Sequence, residues 1–303
     1  MKINDLKDLL KKFENDINFN ANLKKKNWFN IGGKAKVFFK PIELNNLIEF
    51  LKILNNREKI YVIGAGSNTL ITDEVFDGVV IKLGKNFNHL SALSPDIIIS
   101  GAAVTDKKLS EFAVENNLSG FEFLSCIPGT VGGGIKMNAG CFGNEIKDIL
   151  LSVQVIDKLG NISSIPSSQI NFDYRTNSLS DDLIFLSASF KGKKKNHKFI
   201  LETMNKLKIK KENSQPTKIK TSGSTFKNPI DKTKKKVWEL IRESVPLDIR
   251  FGDACISEKH SNFFVNKDNA KFSDMKKLIN YVENSVFKKT GIKIEKEIKI
   301  LEN

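Results

Sequence analysis

The stretch Ile127-Pro128-Gly129-Thr130-Val131-Gly132-Gly133-Gly134-Ile135-Lys136-Met137-Asn138-Ala139-Gly140-Cys141-Phe142-Gly143 carries the reading of the fold. Six glycines fall between 129 and 143, and ordering that much glycine costs more backbone entropy than a plain connection warrants. Glycine backbone beside Thr130 and Asn138 can wrap a flat, polyanionic cofactor; the alternative is a tight structural crossover. A second loop, Gly64-Ala65-Gly66-Ser67-Asn68, follows the β-rich run 59–63. Its glycines let the main chain approach a phosphate, and its N–H groups can bind the anion. It lacks the third glycine of GxGxxG, and Lys82 and Lys85 stand where a dinucleotide fold places an acidic residue. Alone, it reads equally well as a turn. Two such loops on different strands suggest a dinucleotide gripped from two sides.

Strands and helices alternate around these loops. Ile3, Leu6, Leu9, Leu10 and Phe13 share a helical face; 36–39 reads as a strand; Leu44, Leu47, Ile48, Leu51 and Leu54 mark a second amphipathic helix; 78–83 is a strand. Then come a strand at 96–100, a helix at 106–117, the glycine loop at 128–143, and a hairpin of 153–157 and 161–165 about Leu159-Gly160. A strand at 183–190 follows, and 191–197 reads as a linker. The pattern restarts with a polar helix at 198–213, a loop carrying Ser224, a helix at 237–243, short strands at 255–256 and 262–265, and a helix through Met275, Leu278, Ile279, Val282 and Val286. Residues 291–301 alternate, with Ile292, Ile294, Ile298 and Ile300 facing inward.

The chain of 303 residues is long enough for one large core or two to three smaller ones. No apolar run approaches the roughly 18–20 residues of a membrane span, and the first thirteen residues lack the apolar segment of a signal peptide; a cytoplasmic protein with no membrane partner is expected. Cys126, Cys141 and Cys255 fit no zinc spacing and read as reduced thiols, and with three histidines no metal site is expected. The net charge of +14 admits nucleic acid, an anionic small molecule, or a lysine-rich composition without a partner. The lysine runs lack the interleaved aromatic residues of a nucleic-acid platform.

Three places carry candidate chemistry. In Gly223-Ser224-Thr225-Phe226-Lys227-Asn228-Pro229 a loop serine stands without the elbow or histidine of a nucleophile. It reads as a hydrogen-bond or proton donor to a strongly basic intermediate, or as a surface turn. Tyr174-Arg175 offers a planar cation for carboxylate or phosphate, or a surface ion pair. Glu295 and Glu297 share one face of the C-terminal segment; either can act as acid, base or electrostatic partner, or pair with lysine across strands. Periodicity does not separate the two.

Taken in order, Asn30-Ile31-Gly32-Gly33, Gly64–Asn68, the 127–143 loop, Tyr174-Arg175, the 223–229 run, Ser257-Glu258-Lys259-His260-Ser261-Asn262-Phe263 and Glu295-Lys296-Glu297-Ile298 span nearly the whole chain. This ordered set resembles the UDP-N-acetylenolpyruvoylglucosamine reductases, and the short path from Arg175 to 191 resembles their type II subgroup, which lacks an extra substrate-covering loop. The resemblance implies an α+β, three-domain flavoprotein. A two-domain FAD-binding unit of the vanillyl-alcohol-oxidase-like type (1–85 and 86–192) precedes a C-terminal α/β substrate domain (198–303). It implies FAD and NADPH as cofactors, a UDP-sugar substrate, ping-pong use of one cleft, a monomer, and no nucleic-acid partner.

By family register the catalytic set is Arg175, Ser224 and Glu297. Arg175 stabilises an enolate formed when hydride from flavin N5 reaches C3, Glu297 assists at the carboxylate, and Ser224 protonates C2. Lys218, Lys220 or Lys227 supports the Ser224 alkoxide. The resemblance assigns FAD to Gly64, Ala65, Gly66, Ser67, Asn68, Thr69, Pro128, Gly129, Thr130, Gly132, Gly133, Asn138 and Gly140, and substrate to Tyr174, Lys227 and Asn228. The chain departs from the family pattern at 245–251, at Gly134 and at Lys136. The rival readings are another FAD-dependent oxidoreductase of the superfamily, which no histidine or cysteine evidently placed for covalent flavin attachment favours, and a basic nucleic-acid-binding protein.

Overall fold

The computed structural model describes residues 10–216 and 219–303. Of the expected N-terminal helix, Ile3, Leu6 and Leu9 lie outside the described residues, as does Lys218. The chain divides into two compact units that interleave in sequence. The first takes the N-terminal segment to Phe19, Lys36–Ala65 and Gly78–Lys211; the second takes Asn20–Ala35, Gly66–Asp77 and Glu212–Asn303.

In the first unit, helix α1 (Leu44–Leu54) buries Leu47, Phe50, Leu51 and Leu54, a one-sided stripe at helical spacing. It ends on Asn55, whose left-handed φ of 47° lets its N–H reach Leu51 O. The ring of Phe50 stacks on Phe39 at 3.9 Å, with Phe13 edge-on to both. A second core lies on a five-stranded antiparallel sheet, ordered Ile162–Pro166, Leu150–Ile156, Ile184–Lys191, Ile97–Gly101 and Leu90–Ser94. Helix α2 (Asp106–Glu115), capped by the Thr105 hydroxyl accepting Lys108 N–H at 3.3 Å, packs its Leu109 and Ala113 into that core.

Two expectations are corrected here. Residues 128–143 are not wholly loop: Val131–Lys136 form a short helix, α3. Its first N–H groups are taken by Val104 O (2.8 Å) and Ala102 O (3.0 Å), while Val131 and Ile135, four apart, sink into the core. Tertiary acceptors thus overcome the poor helix propensity of three successive glycines. The segment 191–197 is not a free linker either. Lys193–Lys194 pair with Leu118–Ser119, and Gly192 N–H donates to Asp96 O. Helix α4 (His197–Ser214) follows and buries Ile200 and Met204 against Val114.

In the second unit, helices α5 (Val237–Ser244) and α6 (Phe272–Thr290) share a core with the antiparallel strands Arg250–Phe251, Ala254–Ile256 and Phe264–Asn266. Thr69–Ile71 pairs in parallel with Lys299–Leu301. The expected strand over 291–301 is therefore short. Gly291, at φ 71°, caps α6, and only the last three residues enter a ladder. Ile294 and Ile298 are the buried pair, with Ile292 and Ile300 partly covered.

Candidate active site

In the first unit the two glycine loops meet. A Cβ on Gly64 would stand 2.4 Å from Thr130 Oγ1, so any side chain here would force the Thr130 hydroxyl to move. Thr130 forms an antiparallel bridge with Thr105, fixing the start of α3, and Gly129 O accepts Asp106 N–H at 3.2 Å. Pro128 and Gly133 are exposed, and Gly129, Thr130 and Gly132 are partly so. Asp106 lies beneath, fully buried, with neither carboxylate oxygen hydrogen-bonded among the described residues; burial pushes its pKa up to about 8. Gly134 packs against Asp106 and Ile146. Lys136 pairs with Asp181 at 2.6 Å and donates to Leu179 O and Ser180 O, so both departures from the family pattern are absorbed inside the unit.

Asn138 is fully buried with φ 40°. Its Nδ2 donates to Glu145 Oε2 (3.0 Å) and Asp173 O (3.1 Å), and its Oδ1 accepts Lys147 N–H (3.2 Å). This ties the glycine loop to the two-residue turn Tyr174-Arg175, which closes the hairpin of Phe172–Asp173 with Thr176–Asn177. Arg175, at φ 60°, donates from Nη2 to Gly140 O at 2.8 Å and from Nη1 to Asn138 O at 3.5 Å. The Tyr174 ring lies 4.9 Å from its Cζ. Arg175 is thus a part-buried cation held by the carbonyls of the loop expected to grip the cofactor.

In the second unit, Gly66 (φ 68°) packs so closely that a Cβ would fall 2.2 Å from Lys26 O. Among the described residues, the backbone N–H groups of Gly64, Ala65, Gly66, Ser67 and Asn68 have no protein acceptor. Successive free N–H groups on a glycine turn fit the phosphates of a dinucleotide. Asn68 Nδ2 donates to Glu297 O at 3.0 Å, and Asn68 O accepts Lys299 N–H at 2.9 Å. Thr69 lies in the strand paired with Lys299–Leu301.

Ser224 is partly exposed and forms an isolated bridge with Phe263. The carbonyl of Thr225 accepts the N–H of Glu297 at 2.8 Å, so the serine loop and the glutamate are neighbours on one backbone framework. Asn262 completes it: Oδ1 accepts Phe226 N–H (3.0 Å), Nδ2 donates to Phe226 O (2.8 Å), and its own carbonyl accepts Thr225 N–H (2.8 Å). Sequence reading placed Asn262 only within a motif; a carboxamide that imitates a strand edge leaves no local signature. Lys227 and Lys232 pair with the exposed Glu295 at 3.9 and 3.7 Å, while Glu297 is more buried. Lys220 Nζ donates to Asp268 O at 2.7 Å. Asn228 Oδ1 accepts Val237 N–H at 3.1 Å, which caps α5. His260 is pushed down by burial, with Nδ1 accepting Asn262 N–H.

Residues 35–165 match the model of the FAD binding domain, so the class is a flavoprotein. Residues 215–301 match the UDP-N-acetylenolpyruvoylglucosamine reductase C-terminal domain. The chain is 62% identical over 301 residues to the UDP-N-acetylenolpyruvoylglucosamine reductase of Pelagibacter ubique (strain HTCC1062), covering 99% of this chain and 100% of that one. It is 43% identical to that of Rickettsia typhi (strain ATCC VR-144 / Wilmington), covering 92% and 93%. The solved reductase of Thermus caldophilus superposes with a TM-score of 0.81 at 28% identity, covering 95% of this chain and 98% of that one. The chain belongs to the UDP-N-acetylenolpyruvoylglucosamine reductases.

Proposed function

We propose that this chain reduces UDP-N-acetylenolpyruvoylglucosamine to UDP-N-acetylmuramate with NADPH as the reductant, as an FAD-dependent enzyme of peptidoglycan synthesis. The observation that carries the reading is one hydrogen-bonded framework holding Ser224, Glu297 and the Gly66–Asn68 turn. When bound, FAD would supply the two-electron, hydride-transfer chemistry that links NADPH to C3 of the enolpyruvyl group. Gly64 to Asn68 would hold it with their backbone N–H groups, with Thr69 beside them; Pro128, Gly129, Thr130, Gly132, Gly133 and Gly140 would form the second grip, with Asn138 stiffening that loop.

Arg175 offsets the negative charge that develops on the substrate carboxylate and C2, with Tyr174 lining its flank. Glu297 hydrogen-bonds that carboxylate. Ser224 Oγ donates the proton to C2, an acceptor basic enough to take it from a hydroxyl. Glu297 is the acting carboxylate because its N–H is tied to the Thr225 carbonyl beside Ser224, whereas Glu295 is exposed. Lys227 balances the Ser224 alkoxide, and with Asn228 it meets the diphosphate of the substrate. FAD is held by 1–85 and 86–192 and the UDP-sugar by 198–303, in a monomeric enzyme of the cytoplasm. Among the described residues, no helix is long and apolar enough to cross a membrane.

The test separates the two half-reactions. Under anaerobic conditions, Ser224→Ala bleaches the flavin with NADPH at the parent rate, but substrate then reoxidises it at least about 100-fold more slowly. Equal loss in both halves removes the proton-donor role, and NADPH oxidation by the parent protein that ignores the enolpyruvyl substrate removes the assignment itself.

A further inference from the structure

Glu145 follows the glycine loop and belongs to none of the motifs above. Its two carboxylate oxygens serve different partners. Oε2 accepts from Asn138 Nδ2 at 3.0 Å and lies 2.9 Å from Lys147 Nζ; Oε1 stands 3.9 Å from Arg175 Nη1. The Arg175 and Glu145 side chains are 16% and 20% exposed, so the pair is shielded from most of the solvent. The carbonyls of Asn138 and Gly140 that Arg175 also meets are neutral acceptors. Glu145 adds a full negative charge and, through Asn138 and the Asp173 carbonyl, grips the hairpin on which Arg175 stands.

We propose that Glu145 is a positioning residue for Arg175, setting the direction of its guanidinium before substrate arrives. An arginine side chain has many rotamers, and holding one in advance removes the ordering cost from the reaction. Lys147 shares the carboxylate, so Glu145 bridges two cations, and Asp148 and Asp173 also act on Lys147. Why Arg175 needs this position rests on the proposed reduction; that Glu145 holds it does not.

Glu145→Gln keeps an oxygen for Asn138 and nearly the same volume, removes the charge, and turns an NH2 donor in place of an acceptor toward Arg175. Two measurements on the FAD-loaded full chain test the proposal. Phenylglyoxal modification of Arg175, followed by peptide mass spectrometry without substrate, becomes at least about 5-fold faster, the factor that about 1 kcal/mol of lost pairing produces. In half-reactions, the variant bleaches with NADPH at the parent rate, while reoxidation by the enolpyruvyl substrate slows about 10- to 100-fold. Adding Glu145→Gln to Arg175→Ala then slows reoxidation no further than Arg175→Ala alone.

An unchanged modification rate overturns the proposal, as does additive loss in the double variant or equal slowing of both half-reactions. Faster modification of the variant, together with a parent protein that the enolpyruvyl substrate does not reoxidise, leaves Glu145 holding Arg175 and sinks the substrate assignment instead.

Discussion

Gly66→Ala is the sharpest probe of the cofactor loop. The added Cβ would lie 2.2 Å from Lys26 O and 2.7 Å from Asn27 Cα, both main-chain atoms, at a φ of 68°. Ordinary contact requires about 1 Å more. The obstacle is held: Lys26 N–H donates to Leu23 O, and Asn27 Nδ2 donates to Leu23 O and Ile31 O. The strain is therefore released by the 64–68 turn, whose free N–H groups then lose their alignment. Left-handed backbone costs alanine about 1–2 kcal/mol, and overpacking adds about 1–3 kcal/mol.

Gly143→Ala is the internal control. At φ 88° it carries the same backbone cost, but its Cβ would meet nothing within 4 Å. The difference between the two variants isolates the clash, about 1–3 kcal/mol, which corresponds to a 5- to 150-fold weaker FAD complex for Gly66→Ala. Titration of apoprotein with FAD, followed by flavin fluorescence and with far-UV circular dichroism as a folding check, reads it directly. FAD affinity equal in the two variants would refute the close-approach reasoning.

Two further outcomes follow from the same geometry. Asp106, buried with no side-chain hydrogen bond among the described residues, keeps its proton in the folded chain to about pH 8, whereas the unfolded chain releases it above about pH 4. Its contribution is fully present below the unfolded pKa and declines as pH rises toward 8, by about 1.4 kcal/mol per unit. Between pH 5 and 7 the parent thus loses about 3 kcal/mol that Asp106→Asn does not, a divergence of roughly 6–12 °C in Tm by calorimetry; parallel Tm curves rule it out. Glu297→Gln lowers turnover by at least about 100-fold, whereas Glu295→Gln, which breaks only exposed ion pairs, changes it less than about 3-fold; steady-state kinetics showing the reverse order shift the catalytic role to Glu295.

Local pattern made the helices legible. The apolar stripe of 44–54 and the run from Met275 to Val286 have the period of the helices that form. It failed at 131–136, where Val104 and Ala102 carbonyls stabilise a helix through glycines, and at 191–197, where a lysine-rich stretch pairs with Leu118–Ser119. In both places the deciding partner lies far away in sequence. The family register selects Glu297 where periodicity ties it with Glu295; in the structure Glu295 is exposed and engaged by two lysines, while Glu297 is more buried.

The order of residues along the chain carries the chemical vocabulary: two glycine loops suited to a dinucleotide, a serine without a base, an arginine, and a pair of glutamates. Tertiary structure decided how these are held. Thr69–Ile71 finds Lys299–Leu301, the Asn262 carboxamide clamps the serine loop, and Glu145 reaches Asn138 and Arg175. Hydrogen bonds and ion pairs between distant residues impose no period on the residues around them, so only the folded chain discloses them.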